Sequence, residues 1–527
     1  MDIIYKRIAE ARLSDRYLTR MILVVLIVAT AVKVVYSQSK VPDSVYDHVP
    51  FKMAKVNPPV FPANVCNLRD YGAVSDGVTL NTVHFTKAIL DLAAKGGGKL
   101  VVPSGVWLTG PIVFQSNINL HLETGAIIVF SENFDLYPLI ETSYGGLSMQ
   151  HCLSPIYGKN LQNIAITGKG IIDGSGDAWR FLKKGKLTEQ QWKELIASGG
   201  VLDDKKTTWY PTESALLGSK MEIDQGFTSA KTPEEHQAIK DFLRPVMISF
   251  TSCKNVWLEG VTFQNSPAWN IHLWLCENIF ADNIIVRNPW YAQNGDGIDI
   301  ESCKNMVLYN SSFDVGDDAI CIKSGKNEEG RKRGIPTENI IVKNCTVYHG
   351  HGGFTIGSEM SGGVKNIQVS ECTFIGTDVG LRFKSTRGRG GIVEKIWISN
   401  IDMLNIPNEA LLFDLFYGGK SPLETNAEVD NPAKNVPKAD ETTPLFRQIE
   451  IRNITCKGAG KAFLFNGLPE MNIRDIFMKD IFITCTKGGE IVESDGVTMT
   501  NVKITPKNGK PLVTLRAKNI VLNGKSY

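Results

Sequence analysis

The chain has 527 residues, and its 57 basic side chains nearly cancel its 55 acidic ones, leaving a formal net charge of +2. With 43% hydrophobic and 21% charged residues the composition is that of a globular protein, which excludes a disordered or fibrous chain. Near-neutrality also excludes a protein that clamps nucleic acid through bulk positive charge, so a polyanionic ligand would have to be met by local charge.

The first forty residues stand apart. Met21 to Val32 is an apolar run, preceded by Arg12, Arg16 and Arg20 and broken by Lys33. It is shorter than the roughly 20 apolar residues that a membrane-spanning helix needs. A basic start, a short apolar centre and the ending Val35-Tyr36-Ser37 predict a secretory signal over 1–37, with an uncleaved N-terminal anchor as the alternative. The expected location is therefore outside the cytoplasm, secreted or periplasmic, with no membrane contact once the signal is removed. Residues 38–62 read as a linker, and 63–527 as one catalytic domain. In an exported chain disulfides are allowed, yet Cys253-Lys-Asn255, Cys276-Glu-Asn278 and Cys303-Lys-Asn305 repeat one phrase. That regularity predicts stacked, buried thiols, and no Cys/His cluster has zinc spacing.

The phrase belongs to a longer repeat. Asn255, Asn278, Asn305, Asn339 and Asn366, then Lys395, Gln448, Asp475 and Asn501, each precede an alternating apolar run. Most intervals fall between 23 and 34 residues, and each unit holds two or three short runs of period two broken by Gly, Asn and Asp. A period of that length made of strands without helices predicts an all-β solenoid, a parallel β-helix. Ahead of it, residues 81–94 have helical spacing and stop at Gly96-Gly97-Gly98, which suits a helix capping the first coil. Two segments interrupt the coils. Residues 179–243 carry two capping boxes, Thr188 with Gln191 and Thr232 with Glu235, and read as a helical insertion. Residues 418–444 read as a loop insertion.

The chemistry lies where the turns become acidic. Asn294-Gly-Asp296 is followed by Gly316-Asp317-Asp318, and the near-coil spacing predicts that Asp296 and Asp317 approach each other on one surface. Gly350-His351-Gly352 follows, then Arg382-Phe383-Lys384, whose two cations share one face of an extended strand. Alone, each piece is an ordinary solvated turn or strand face. Together they place three carboxylates, an imidazole and two cations on successive coils. Like charges held close raise the pKa of one carboxyl, which gives an acid beside a base.

These four motifs, with Asp70-Tyr-Gly-Ala-Val-Ser-Asp-Gly77 and Gly96-Gly-Gly-Lys-Leu-Val-Val-Pro103, resemble those of the polygalacturonases, glycoside hydrolase family 28. The resemblance runs from about Asn64 to the end, outside the insertions. It departs from the usual pattern at Gly295, where Thr is common, and at Phe383, where Ile is common. It implies a right-handed parallel β-helix that hydrolyses pectin with inversion, without metal or cofactor, on a pectic polysaccharide or oligogalacturonide; a monomer is expected. By the same resemblance Asp317 is the general acid, Asp296 and Asp318 hold and deprotonate the attacking water, and His351 helps keep Asp317 protonated. Arg382 and Lys384 grip the sugar carboxylate, and Asn294 and Tyr417 bind substrate. Inverting enzymes commonly separate their carboxyl groups by about 6.5–9.5 Å.

Bulk from the two insertions beside the catalytic coils predicts a groove closed at one end, hence action on chain ends, with an endo-acting enzyme or a rhamnogalacturonan or xylogalacturonan hydrolase as alternatives. A pectate lyase would need Ca²⁺ and an arginine base. A non-catalytic carbohydrate-binding β-helix would have no use for three carboxylates beside a histidine.

Overall fold

An asparagine side chain tolerates the left-handed backbone region, and its amide both gives and takes hydrogen bonds. The repeated asparagines use both properties. Asn255, Asn278, Asn305, Asn339 and Asn366 have φ of 57–60°. Each donates through Nδ2 to Oδ1 of the equivalent asparagine one coil earlier, beginning at Asn163, over 2.9–3.4 Å. Lys395, Gln448 and Asp475 keep the same backbone conformation. Asn501 does not belong to this ladder: it bonds Asp480 at 2.6 Å in a second one, and Gly496, with φ of 77°, takes the expected place. Glycine reaches that conformation without a side chain, so the repeat loses its marker there.

The computed structural model describes residues 40–224, 226–418 and 436–527. It divides into Met1–Val41 and Pro42–Tyr527, and the signal or anchor expected over 1–37 lies outside the described residues. From Pro42 on, the strands stack in parallel, coil on coil, into a right-handed parallel β-helix with one continuous core from Leu68 to Ile520. Six successive rungs of one face carry the site: β1 (Ile248–Thr251), β2 (Ile271–Trp274), β3 (Ile298–Glu301), β4 (Ile320–Lys323), β5 (Gly352–Ile356) and β6 (Val379–Lys384). Their isoleucine, leucine and phenylalanine side chains point into the core. The alternate positions point outward and align as two rows. One runs Ser249, His272, Asp299, Cys321, Thr355, Arg382; the other runs Thr251, Trp274, Glu301, Lys323 and ends at Lys384.

The cap forms as expected. Helix α1 (Thr82–Ala94) buries Phe85, Ala88, Ile89 and Leu92, one helical face, over the first coil. Gly97 after it has φ of 117°, and a Cβ there would lie 2.3 Å from the Asn117 carbonyl oxygen. The first insertion contains α2 (Glu189–Ala197) and α4 (Pro233–Ala238), both with the expected capping boxes, and also α3 (Glu213–Lys220), which the sequence did not announce. Most of the second insertion, 419–435, lies outside the described residues. The stretch read as a linker is packed, not free. Val45 and Val56 are buried, Lys343 Nζ donates to the Ser44 carbonyl at 3.3 Å, and the Phe51 ring meets Trp397 at 5.8 Å. All ten cysteines are free thiols, and Cys276 and Cys303 each donate to a carbonyl of the preceding coil at 3.2 Å.

One element was missed. Leu139–Tyr144 and Leu147–Cys152 form an antiparallel hairpin closed by Gly145 and Gly146, both at positive φ as a tight two-residue turn requires. Two alternating runs around Gly-Gly are a hairpin signal, and it was legible.

Candidate active site

The register between β3 and β4 pairs Ile298 with Ile320, and Gly297 N donates to the Asp318 carbonyl at 2.9 Å. Asp296 therefore stands in register with Asp318, because the coil is one residue longer than the 296-to-317 interval, while Asp317 stays near enough for its charge to act on Asp296. One oxygen of Asp296, one of Asp318 and the Cys321 sulphur lie within 4.8 Å of one another. Two hydrogen bonds from a single water span about 4.5 Å between acceptors, so Asp296 and Asp318 can hold one water between them. That grouping could also hold a cation, but the donors already on Asp318 oppose it.

Asp318 is the fixed point of the site. Its Oδ1 accepts from Thr355 Oγ1 at 3.0 Å and from Arg382 Nη1 at 2.9 Å, and its Oδ2 accepts from Lys384 Nζ at 2.8 Å. Burial alone would push its carboxyl up, but the Lys384 and Arg382 charges and the Lys384 hydrogen bond outweigh it and hold the group well below the usual carboxylate range. The alternation in β6 explains the geometry. Arg382 and Lys384 face out, while Phe383 faces in and stacks on Phe413 at 4.4 Å. The two cations thus meet a protein carboxylate first, where the sequence suggested only a sugar carboxylate. The Tyr417 ring lies 4.8 Å from Lys384 Nζ and 5.9 Å from Arg382 Cζ, which joins Tyr417 to this group.

Asp317 and His351 form a second group. His351 Nδ1 lies 3.2 Å from Asp317 Oδ1, and the His351 backbone N–H donates to the Asp317 carbonyl at 2.9 Å. Asp378 faces the other ring nitrogen at 3.7 Å. Burial raises the Asp317 carboxyl, but the His351 hydrogen bond and charge overcome it, so the net shift is downward. His351 moves up, through the same hydrogen bond with Asp317. Both directions favour the proton on His351 in the free protein, whereas the resemblance implied that His351 helps keep Asp317 protonated. Gly352 is glycine for a steric reason. A Cβ there would lie 2.2 Å from Thr355 Oγ1 and 2.8 Å from Asp318 Oδ1.

Asp296 is 4% exposed, and its carboxyl is pushed well above the ordinary value, first by burial and then by the charges of Asp299 and Asp317. The carboxyl that like charges raise is thus Asp296. Asn294, at φ 53°, accepts from Arg244 Nη2 at 3.0 Å. Arg244 also donates to the Pro267 and Gln293 carbonyls, so this residue, just past the first insertion, fixes the Asn294 loop. The sequence reading did not single it out.

Residues 229–437 match the family model of glycosyl hydrolases family 28. The chain carries a glycoside hydrolase family 28 domain. It is 27% identical over 474 residues to a probable polygalacturonase of Vitis vinifera, covering 86% of this chain and 83% of that one. It is 26% identical over 482 residues to an exo-poly-alpha-D-galacturonosidase of Dickeya chrysanthemi, covering 88% and 75%. Among solved structures it resembles an exopolygalacturonase from Thermotoga maritima, at TM-score 0.62 and 29% identity over 87% of this chain and 93% of that one.

Beside the acidic centre of this glycoside hydrolase lies a set of ionisable side chains that the sequence concealed. His272, Asp299 and Glu301 face outward from β2 and β3, yet are 1%, 0% and 0% exposed. His272 Nε2 and Glu301 Oε2 are 2.8 Å apart. Lys323 Nζ donates to Glu359 Oε2 at 3.1 Å, lies 3.6 Å from Asp299 Oδ1, and rests 4.6 Å over the Trp269 ring. The hairpin covers them. Its Tyr144 stacks on Trp269 at 4.7 Å and on His151 at 4.4 Å. Its tip reaches past β4, where Lys326 N donates to the Gly146 carbonyl at 3.0 Å and Ser148 Oγ donates to Glu329 at 2.6 Å. The first insertion joins it through Phe227, against which a Cβ on Gly145 would press at 2.8 Å, and through Asp224, which accepts from Lys326 Nζ at 2.6 Å.

Proposed function

We propose that this glycoside hydrolase cleaves the α-1,4-galacturonosyl linkages of pectic polygalacturonate with inversion and releases galacturonic acid from chain ends. The observation that carries the reading is the burial of His272, Asp299 and Glu301 on the outward face of β2 and β3. On a bare solenoid these side chains would line a groove; here the hairpin and the first insertion roof them over. The accessible side chains of the centre are His351, half exposed, and Asp317, with Asp296 and Asp318 buried beneath them; in this reading the roof over β2 and β3 stops a polymer from running on past the centre. Only a terminal sugar fits there. The relatives include an exo-acting enzyme and an endo-acting one, so the covered face, not the likeness, carries the choice of chain-end action.

The roles follow from the charges. A water held between Asp296 and Asp318 attacks the anomeric carbon and gives up a proton. Asp318, locked by Lys384, Arg382 and Thr355, is a weak base but a firm anchor for the water and for positive charge developing on the sugar. Asp296 has the higher proton affinity, and in its ionised form it takes that proton. The glycosidic oxygen leaves with a proton delivered by Asp317, whose supply sits on His351, 3.2 Å away. The remaining N–H groups of Lys384 and Arg382, beside the Tyr417 ring, meet the uronate carboxylate, and Asn294 adds a polar contact at the mouth. Chromatography of early products on polygalacturonate tests the reading. Monomer without intermediate oligomers is expected, and shortening the hairpin tip at Gly145 and Gly146 should let longer products appear. A ladder of oligomers from the intact enzyme would refute chain-end action.

A further inference from the structure

Of the nine tryptophans only Trp290, among the described residues, is exposed, at 59%. A single apolar side chain on a surface is ordinary, but this one stands on a turn of the acidic centre itself. The turn runs from Asn288 into β3 and carries Asn294 and Asp296. It is tied within itself: Asn288 Nδ2 donates to the Gly295 carbonyl at 3.1 Å, Ala292 N to the Pro289 carbonyl at 2.9 Å, and Gly295 N to the Ala292 carbonyl at 3.1 Å. It also presses on Gly316, the residue before Asp317. A Cβ on Gly316 would lie 2.5 Å from the Pro289 carbonyl oxygen and 2.7 Å from that of Ala292. Trp290 is thus mounted on a fixed backbone, packed against the chain that carries Asp317.

The first insertion reaches the same ring. Its helical turn Lys184–Lys186 is held by Lys184 N, which donates to the Thr207 carbonyl at 2.8 Å, and Lys186 Nζ stands 4.4 Å from the centre of the Trp290 ring. Tyr291 lies at 84° to that ring, 5.9 Å away, and its hydroxyl donates to Asp177 Oδ1 at 3.5 Å. With both neighbours in place Trp290 keeps its 59% exposure. No carboxylate pairs with Lys186 among the described residues, although Lys184 has Glu189 at 3.3 Å. An exposed cation over an indole is a weak contact by itself, so it does not account for a tryptophan left open here. Together the two groups complement a sugar acid. The apolar C–H surface of a pyranose packs on an aromatic ring, and a uronate carboxylate accepts hydrogen bonds from an ammonium.

Along the solenoid Lys384 and Arg382 stand on β6 and Trp290 at the turn into β3, with the turns of Asp317, Asp318 and His351 between them. We propose that Trp290 and Lys186 form a sugar-binding subsite for the galacturonate unit across the scissile bond from the one that Lys384 and Arg382 meet. Under chain-end action this is the unit released. The insertion that closes the groove then also supplies the cation that recognises what the groove admits.

The inference rests on the function proposed above, and the test separates the two. Initial rates are measured on trigalacturonate and on the same trimer methyl-esterified only at the unit released. Trp290→Ala should raise KM about tenfold on both, with a smaller change in kcat, and Trp290→Phe should recover most of the loss. Lys186→Met should lower the preference for the acid over the ester about fivefold, and Lys186→Arg should restore it. Both side chains are exposed, so the melting temperature should stay at the wild-type value; a scaffold role would lower it and leave the preference intact. An unchanged KM in Trp290→Ala, or an unchanged preference in Lys186→Met, overturns the subsite alone. A wild-type enzyme inactive on trigalacturonate would overturn the proposed function, and the subsite with it.

Discussion

Replacing His351 by glutamine tests where the acid's proton is stored. In the intact pair the proton rests on His351 and Asp317 is held ionised, its carboxyl drawn down by the imidazole 3.2 Å away. A charge pair at that distance is worth about 1.3 kcal/mol at the dielectric constant of water, or about one pKa unit, and more as the dielectric falls. The His351 side chain is half exposed, so solvent screening keeps the effect near that lower figure. The sign is fixed by direction. His351 is raised, so the pair keeps its proton up to a pH above the ordinary histidine value and loses it beyond. The alkaline limb of kcat/KM should therefore lie above about 6.5. In His351→Gln the proton must sit on Asp317 itself. That carboxyl rises once the imidazole is gone, because burial is then its main perturbation, but it stays a carboxyl. The alkaline limb should move by at least one unit towards acid, and kcat at neutral pH should fall about 10²-fold. The assay is the initial rate on a defined oligogalacturonide from pH 3 to pH 9. A fall in kcat with the alkaline limb unmoved would refute a stored proton and reduce His351 to a binding contact.

Other consequences follow from the packing. Lys384→Met leaves the buried Asp318 without its Oδ2 partner and should lower stability by about 3–5 kcal/mol at neutral pH. Because the Asp318 carboxyl is depressed, its contribution is present above about pH 4 and is lost on acidification, so the melting difference between mutant and wild type should narrow below that pH. Phe383→Ala removes a ring stacked on Phe413 in the core and should cost about 3–5 kcal/mol in chemical denaturation, while Phe383→Ile should cost much less. Asn305→Ala breaks two ladder bonds and leaves at φ 57° a residue without the amide that lets asparagine tolerate that conformation, for a loss of about 2–3 kcal/mol; Asn305→Gly, which adopts the conformation freely, should lose less.

The coil was legible because its turns need a left-handed residue, and asparagine marks that need in the sequence wherever it also bonds its neighbour. The same logic explains the error at Asn501, which answers to a second ladder, and the silence at Gly496, where glycine meets the need without a marker. Asp296, Asp317, Asp318, His351, Arg382 and Lys384 were legible as residue types in order on successive coils, and they do converge. Their pairing was not legible. Which carboxylate lies beside which depends on a register one residue longer than the spacing suggested, and who holds the proton depends on burial. Asp299, Lys323 and Glu301 stayed hidden for a different reason. At outward strand positions they read as solvated side chains, and it is the hairpin around Gly145 and Gly146, with the insertion beyond it, that buries them. Coverage of that kind is tertiary, and local sequence pattern does not carry it.

The claim that the groove is closed on one side of Asp296 and Asp318 is tested most directly by following the viscosity of a polygalacturonate solution against the number of bonds cleaved. Removal of terminal sugars leaves long chains long, so viscosity should fall slowly and in proportion to the reducing ends released. A steep loss of viscosity after only a small fraction of bonds has been cut would mean that the polymer lies across the centre, and would contradict the account.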